Sequence, residues 1–426
     1  EIDLRTFFLS AEGGFLLARA KRLARERLNT LMQTYHLPVS LDALVEDMPV
    51  GEQQRLEILK ALYRKARILI LDEPTGVLTP QEATQLFNIL RELKAQGVTV
   101  ILITHKLQEI MDITDNVTVM RAGKVVAHRR TVDTSRAELA ELMVGRRVLL
   151  QVDKLPAKPS TSAKLSVKNL SYRDARGCLR LNGLSFELRP GEILGVAGVS
   201  GNGQTELLSV LAGLLKPTAG EMLLHTQGKE QVFNSLRWIR ASELRGLACA
   251  HVPEDRLGEG VVKNFAMQES AILGYHRDSA LGNGAVLSPA RIRDRALELI
   301  HALDVRPVAP QLRTADMSGG NQQKLILARE MARQPEVLLI GQPTRGVDIG
   351  AIERIYKELI KAREMGAAIL VVSVELEEIF ALSDRIMVMN GGHITGIVDA
   401  SQATVKDIGL LMTALPQERG TPGMAA

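Results

Sequence analysis

Residues 48–124 recur without a gap as residues 317–393, at a constant offset of 269 positions. Identities at that offset include Gly51/Gly320, Gln53/Gln322, Gln54/Gln323, Leu69/Leu338, Pro74/Pro343, Thr75/Thr344, Gly97/Gly366, Leu107/Leu376, Glu109/Glu378, Asp115/Asp384, Met120/Met389 and Gly123/Gly392. Chance does not produce such a run. Solenoid units repeat every ~20–50 residues, so a period this long marks a duplicated domain. Each copy reads as a Gln-rich amphipathic helix, an apolar strand (68–71 or 337–340), a second helix and another apolar strand (98–103 or 368–372). Near-continuous apolar runs alternating with helices predict buried parallel strands in an α/β domain.

Between the copies, residues 151–163 (QVDKLPAKPSTSA) carry two Pro and several small polar residues, the composition of a short linker. The domain plan is therefore 1–150, a linker at 151–163, and 164–426. Only 47 residues precede Met48, whereas about 150 separate Lys164 from Met317. The expectation is that 1–150 is the C-terminal part of a domain and that about a hundred of its residues are missing from this sequence, which has no initiator Met.

The 46% hydrophobic content over 426 residues suits an ordered protein of two or three domains. Its 53 Lys plus Arg against 49 Asp plus Glu leave a net charge of +4, too small and dispersed for a nucleic-acid footprint. Cys178 and Cys249 have no metal-ligand spacing and read as reduced thiols of a cytosolic protein. The longest apolar stretches are strand-length, well short of the ~18 residues that span a bilayer. A membrane role therefore calls for separate membrane-embedded partners. The start, Glu1-Ile2-Asp3-Leu4, lacks the basic region of a signal peptide.

Gly198, Val199, Ser200, Gly201, Asn202, Gly203, Gln204 and Thr205 have the spacing of a phosphate-binding loop, G-x-x-x-x-G-K-[ST]. An apolar strand is predicted before it at 193–197 and a helix after it at 206–215. Gly permits the tight turn, and the helix N-terminus aims free N–H groups at phosphate oxygens. Thr205 supplies the hydroxyl that the motif places on Mg²⁺. Gln204 stands where the motif has Lys, and a neutral amide cannot supply the ammonium charge that reaches the β/γ-phosphates. Tyr172, in an early strand, either stacks on an adenine ring or is an ordinary strand aromatic.

Met317-Ser318-Gly319-Gly320-Asn321-Gln322-Gln323 resembles the LSGGQ signature of ATP-binding cassette (ABC) proteins. Leu71-Asp72-Glu73-Pro74-Thr75 resembles their Walker B strand end, and Thr104-His105 their switch histidine. The resemblance covers essentially the whole chain. It implies two P-loop (RecA-like) ABC nucleotide-binding domains with helical subdomains, the first incomplete, that pair head to tail within one full-length chain. ATP and Mg²⁺ are the implied cofactors. The degenerate first signature (Pro49-Val50-Gly51), Thr344-Arg345-Gly346-Val347-Asp348 and His251-Val252-Pro253-Glu254-Asp255-Arg256 resemble the tandem ATPases of bacterial sugar and nucleoside importers. Gly341-Gln342-Pro343, with the run at 77–82, looks most like their purine-nucleoside or simple-sugar branch. The implied partners are integral-membrane permease subunits and, indirectly, an extracytoplasmic solute-binding protein. The implied location is the cytoplasmic face of the cell membrane.

The offset pairs Asp72 with Gly341, Glu73 with Gln342 and His105 with Val374. By the resemblance, Asp72 is a carboxylate near Mg²⁺, Glu73 orients or deprotonates the attacking water, and His105 contacts the γ-phosphate. The second copy lacks all three but keeps an intact Ser318-Gly319-Gly320 signature, whose defective counterpart lies in the first copy. Head-to-tail pairing then gives one equipped site, made of Asp72, Glu73, His105, the Ser318–Gln322 signature and the D-loop Asp348. The other site, around Gln204, Gly341, Gln342 and Val374, collects every defect, with Thr79 in place of the D-loop Asp. Projected by the offset, the P-loop partner of Glu73 falls before residue 1. Glu254 sits where the family has its Q-loop, which couples nucleotide to permease; a plain surface acid is the competing reading. Two other functions remain open at this point: a truncated, non-catalytic remnant, and a soluble tandem ABC ATPase acting on ribosomes or nucleic acid.

Overall fold

The computed structural model describes residues 11–35, 37–45, 48, 50–64, 66–75, 80–121, 123–145, 154, 162–199, 201–283 and 286–414. The chain forms two compact units, Glu1–Arg146 and Arg147–Ala426. Of the linker expected at 151–163, all but Lys154, Ser162 and Ala163 lies outside the described residues. No helix among the described residues is long and apolar enough to cross a membrane.

In the first unit α1 (Ala11–Thr34) packs on α2 (Val50–Tyr63). Strand β1 (Ile68–Asp72) pairs in parallel with β2 (Thr99–Ile103), and α3 (Pro80–Ala95) makes the crossover that a parallel pair requires. Leu86, Ile89, Leu90 and Leu93 recur at helical spacing on α3, and that stripe is buried with Leu59 and Leu69. Helix α4 (Leu107–Ile113) leads into the antiparallel pair β3 (Asn116–Arg121) and β4 (Lys124–Arg130). The unit closes with α5 (Arg136–Val144), capped by Ser135 at its start and by Gly145 in the left-handed region at its end.

The second unit has two sheets. The antiparallel one, ordered β6-β5-β8-β9, comprises β5 (Leu165–Arg173), β6 (Leu179–Leu188), β8 (Ala219–Thr226) and β9 (Lys229–Asn234). The other, ordered β10-β11-β12-β7-β13-β14, comprises β7 (Glu192–Gly198), β10 (Cys249–Val252), β11 (Val337–Gly341), β12 (Ala368–Val372), β13 (Arg385–Asn390) and β14 (His393–Asp399). All its pairings are parallel except β13 with β14. Its longer helices are α6 (Gln204–Leu211), α7 (Pro289–Ala302), α8 (Gly319–Met331), α9 (Ile349–Glu364), α10 (Leu376–Leu382) and α11 (Val405–Thr413). One face of the large sheet, with Leu194, Val196, Leu339, Leu370 and Val372, is buried with Leu207, Leu208 and Leu211 of α6 and with the antiparallel sheet. Ile193, Leu338, Ile340, Ile369 and Val371 on the other face cluster with Leu325 and Ile326 of α8 and Leu359 of α9. Covered on both faces, β7, β11 and β12 are buried at every position, which is why they read as unbroken apolar runs.

From β1 to α5, every strand and α-helix of the first unit maps at 269 positions onto its counterpart from β11 to α11, bounds included. A strand irregularity at Val119/Met120 recurs at Val388/Met389. The structural repeat thus runs past the segment 48–124, through a last helix whose sequence has diverged.

Two expectations change. The helix predicted at 206–215 spans 204–211, because Gly203 (φ 101°) lets it start early and Gly213 (φ 73°) stops it. The strands of the first copy are parallel as expected but buried on one side only. Ile68, Ile70, Ile101 and Ile103 are 60, 62, 46 and 51% exposed. The equivalent face of the second copy is the one that α6 and the antiparallel sheet cover.

Candidate functional site

The register of the large sheet brings the candidate residues of the second unit to one edge. Val196 pairs with Val372, Gly341 with Val372, and Val252 with Ile340. The loop after β7, Glu254, Gln342 and Val374 therefore all lie just beyond the carboxyl ends of neighbouring parallel strands, where open α/β sheets bind ligands.

Gly198 ends β7, and Gly201 and Gly203 take φ values of 90° and 101° on the way to α6. Ser200 lies outside the described residues. Asn202 ties the loop to the β13–β14 turn: its Oδ1 accepts from Gly391 N at 3.1 Å and its carbonyl from Gly392 N at 3.1 Å. Gln204 is buried, and its Nε2 donates to the Val199 carbonyl at 3.2 Å. The amide is folded back across its own loop.

Thr205 Oγ1 donates to Glu254 Oε2 at 2.5 Å. Burial pushes the Glu254 carboxyl above its ordinary range, opposed by hydrogen bonding to Thr205 and Gln342 and by the Arg345 charge. Gln342 has φ 50°, donates from its backbone N to the Val372 carbonyl at 2.8 Å, and accepts from Val374 N at 3.5 Å through Oε1. Beside it, a Cβ on Gly341 would collide with Glu254 Cγ and crowd Leu208 Cδ1. Sequence reasoning missed this cluster of Thr205, Glu254 and Gln342. No spacing in the sequence connects the three, since Glu254 falls two residues beyond β10 and meets the others only through sheet register.

The signature begins α8. Ser318 is its N-cap, Gly319 and Gly320 its first residues, and Asn321 Nδ2 donates to Ser318 Oγ at 2.8 Å. Asn321 Oδ1 in turn accepts from Arg306 N at 2.8 Å. Gln322 is buried and gives its amide to the Thr314 and Met317 carbonyls at 2.9 and 3.3 Å, bracing the turn. Asp348 caps α9 by accepting from Ala351 N at 2.9 Å and faces Lys324 Nζ at 3.5 Å. Arg256 Nη1 donates to the Arg345 carbonyl at 3.0 Å, linking the segment after Glu254 to the one before Asp348. Tyr172 is a partly buried residue of β5, packed against the core and paired with Leu181.

At the matching edge of the first unit, Asp72 ends β1 and Glu73 follows at φ 43°, its N donating to the Ile103 carbonyl at 2.8 Å. His105 Nδ1 lies 2.9 Å from Glu73 Oε1. Behind them the Thr75 hydroxyl donates to buried Glu109, which also accepts from Thr104 Oγ1 at 3.0 Å. The structure thus joins Glu73 to His105, while Pro49 and Thr79 lie outside the described residues. Among the described residues, no group of three or more His, Cys, Asp or Glu is placed to hold a metal unaided. Asp72 and Thr205 are hard oxygen donors of the kind Mg²⁺ takes when substrate phosphates complete its shell, so the residues fit that cation.

Comparison with known proteins shows what the chain is similar to. A family model described as ABC transporter matches residues 10–76 and 181–345. The nucleoside import ATP-binding protein NupA of Lactococcus lactis subsp. cremoris is 44% identical over 391 residues, covering 92% of this chain and 76% of that protein. The glucose import ATP-binding protein TsgD13 of Haloferax volcanii is 42% identical over 399 residues, covering 93% and 71%. The guanosine import ATP-binding protein NupO of Bacillus subtilis is 42% identical over 401 residues, covering 93% and 76%.

Proposed function

The chain belongs to the ABC transporter family, and from that premise we propose that it is the ATP-hydrolysing subunit that powers import of a sugar or a nucleoside. The names of its relatives support that substrate class. Its partners are membrane-embedded permease subunits, fed by an extracytoplasmic solute-binding protein, and it works at the cytoplasmic face of the membrane.

Hydrolysis belongs to the first copy. Glu73 orients the attacking water and takes its proton, and His105, hydrogen-bonded to Glu73, contacts the γ-phosphate. Asp72 holds Mg²⁺, which neutralises phosphate charge when bound with ATP. In the working assembly Ser318, Gly319, Gly320 and Asn321 of the second copy, with Asp348, close over that ATP. The second copy's own P-loop binds nucleotide without hydrolysing it, since Gln342 and Val374 supply neither base nor imidazole. Tyr172 stacks on the adenine there.

The observation that carries this division of labour is the 2.9 Å contact between Glu73 and His105, where the equivalent Gln342–Val374 pair of the second copy has neither group. The test is ATPase activity of the full-length protein assembled with its permease. Glu73→Gln should lower turnover by ~10²–10⁴, while Gln342→Glu should change it little. Near-normal turnover in Glu73→Gln would sink the assignment.

A further inference from the structure

We propose that Glu109 is the positioning residue of the hydrolytic pair: its buried carboxylate bridges the Thr75 and Thr104 hydroxyls and so fixes Glu73 relative to His105. The proposal rests on the reading that Glu73 and His105 do the chemistry, and it gives three residues behind them a part in it.

Glu73 and His105 sit on separate loops, one following β1 and the other following β2. Strand pairing holds the strands but not the loops beyond their ends. Glu73 N still reaches the Ile103 carbonyl, and past that bond side chains join the two loops. Two residues after Glu73, Thr75 donates its hydroxyl to one carboxylate oxygen of Glu109. One residue before His105, Thr104 donates to the other oxygen at 3.0 Å. Thr75 and Glu109 are buried, so water does not replace a hydroxyl that the carboxylate loses. Thr104 Oγ1 also accepts from Lys106 N at 3.0 Å, which ties the clamp to the start of α4, the helix that carries Glu109. One carboxylate thus sets the spacing of both loops from an element to which neither belongs.

The duplication provides a second example of the device. At the offset of 269, Thr344, Ser373 and Glu378 stand for Thr75, Thr104 and Glu109. Thr344 Oγ1 donates to Glu378 Oε1 at 2.7 Å, Ser373 shares in the hydrogen bonding of that buried carboxyl, and Glu375 N donates to Ser373 Oγ at 3.0 Å. The charge beside the two clamps differs. Lys106 Nζ lies 3.9 Å from Glu109 Oε1, whereas its equivalent is Glu375. Burial, with Glu375 adding to it, pushes the Glu378 carboxyl up to about 7. A cation stands by the clamp in the copy that has a base and an imidazole to place, and an anion in the copy that has neither.

The test is steady-state ATPase of the full-length protein assembled with its permease. Thr104→Val removes one hydroxyl with little change of shape, and Glu109→Leu removes the carboxylate. Each should lower kcat about 10–10²-fold, the cost of a misplaced reacting group. KM for ATP should stay within about twofold, because the lost interaction serves the transition state. Thr104→Ser keeps the hydroxyl, as Ser373 does, and should recover most of the turnover. Ser373→Ala makes the same deletion in the second copy and should leave kcat within about twofold. Added to Glu73→Gln, Thr104→Val should cost no more than about twofold further, since the base it would place is gone. Thr104→Val carries the test where Glu109→Leu fails to fold. Unchanged kcat in Thr104→Val, with Glu73→Gln inactive, would overturn the clamp and leave the base standing. Equal losses in Thr104→Val and Ser373→Ala, or full additivity with Glu73→Gln, would overturn it as well, by reducing it to a support of the fold. Near-normal turnover in Glu73→Gln would remove the base and the clamp together.

Discussion

The same pair of parallel strands occurs twice in this chain, in two different surroundings. In the second copy Leu339 and Val372 are 1% exposed, sealed by α6 and the antiparallel sheet. In the first copy the equivalent Ile70 and Ile103 are 62 and 51% exposed. The Lys94–Asp115 pair of the first copy is solvent-exposed, at 53 and 65%, whereas its equivalent Arg363–Asp384 is 2 and 11% exposed. The comparison teaches that equivalent sequence in equivalent secondary structure carries unequal energy. What a side chain contributes is set by what covers it.

The largest consequence should be at the buried ion pair. Asp384 accepts from Arg363 Nη2 at 2.7 Å and from Ile193 N at 2.9 Å, so Arg363→Ala leaves a buried carboxylate half-satisfied and should cost ~3–5 kcal/mol. Lys94→Ala should cost ~0–1 kcal/mol. Denaturant unfolding, read on the transition of each unit, checks both. Equal costs would break the comparison.

Next comes packing. Leu339→Ala empties a position enclosed on all sides and should destabilise the second unit by ~2–5 kcal/mol. Ile70→Ala removes atoms that already face solvent and should stay within ~0.5 kcal/mol. The same unfolding curves decide this, and a large loss for Ile70→Ala would mean that its face is covered in solution.

The smallest effect depends on pH. Burial pushes the Glu378 carboxyl up to about 7, against hydrogen bonds from Ser373 and Thr344. With the folded value above the unfolded one, its contribution to stability is full below about pH 4.5 and declines as pH rises through 7. Glu378→Gln should therefore be the more stable form at pH 8, by on the order of 1–3 kcal/mol, and lose the advantage near pH 4. Parallel melting curves for the two proteins across that range would contradict it.

Much of this was legible from residues. The offset announces the duplication and unbroken apolar runs announce parallel strands, and the contrast of Glu73 and His105 with Gln342 and Val374 is read from the offset alone. The exposed face of β1 and β2 is not written in those two strands themselves. A strand's composition reports which residues suit a pleated, buried surface, not whether another element arrives to cover it. Nor was the Thr205–Glu254–Gln342 cluster legible, because no spacing rule connects positions that meet only through sheet register. Comparing columns one at a time made Gly341 look like a simple loss. Its meaning depends on a residue 87 positions earlier in the chain.

Glu73 and Gln342 share one further trait: both hold positive φ, 43° and 50°, in a region that side-chain-bearing residues avoid at a cost of order 1–3 kcal/mol. The two copies thus present different side chains, a carboxylate in one and an amide in the other, from the same left-handed main-chain turn, so the contrast between them at this position lies in the side chain and not in the backbone that carries it.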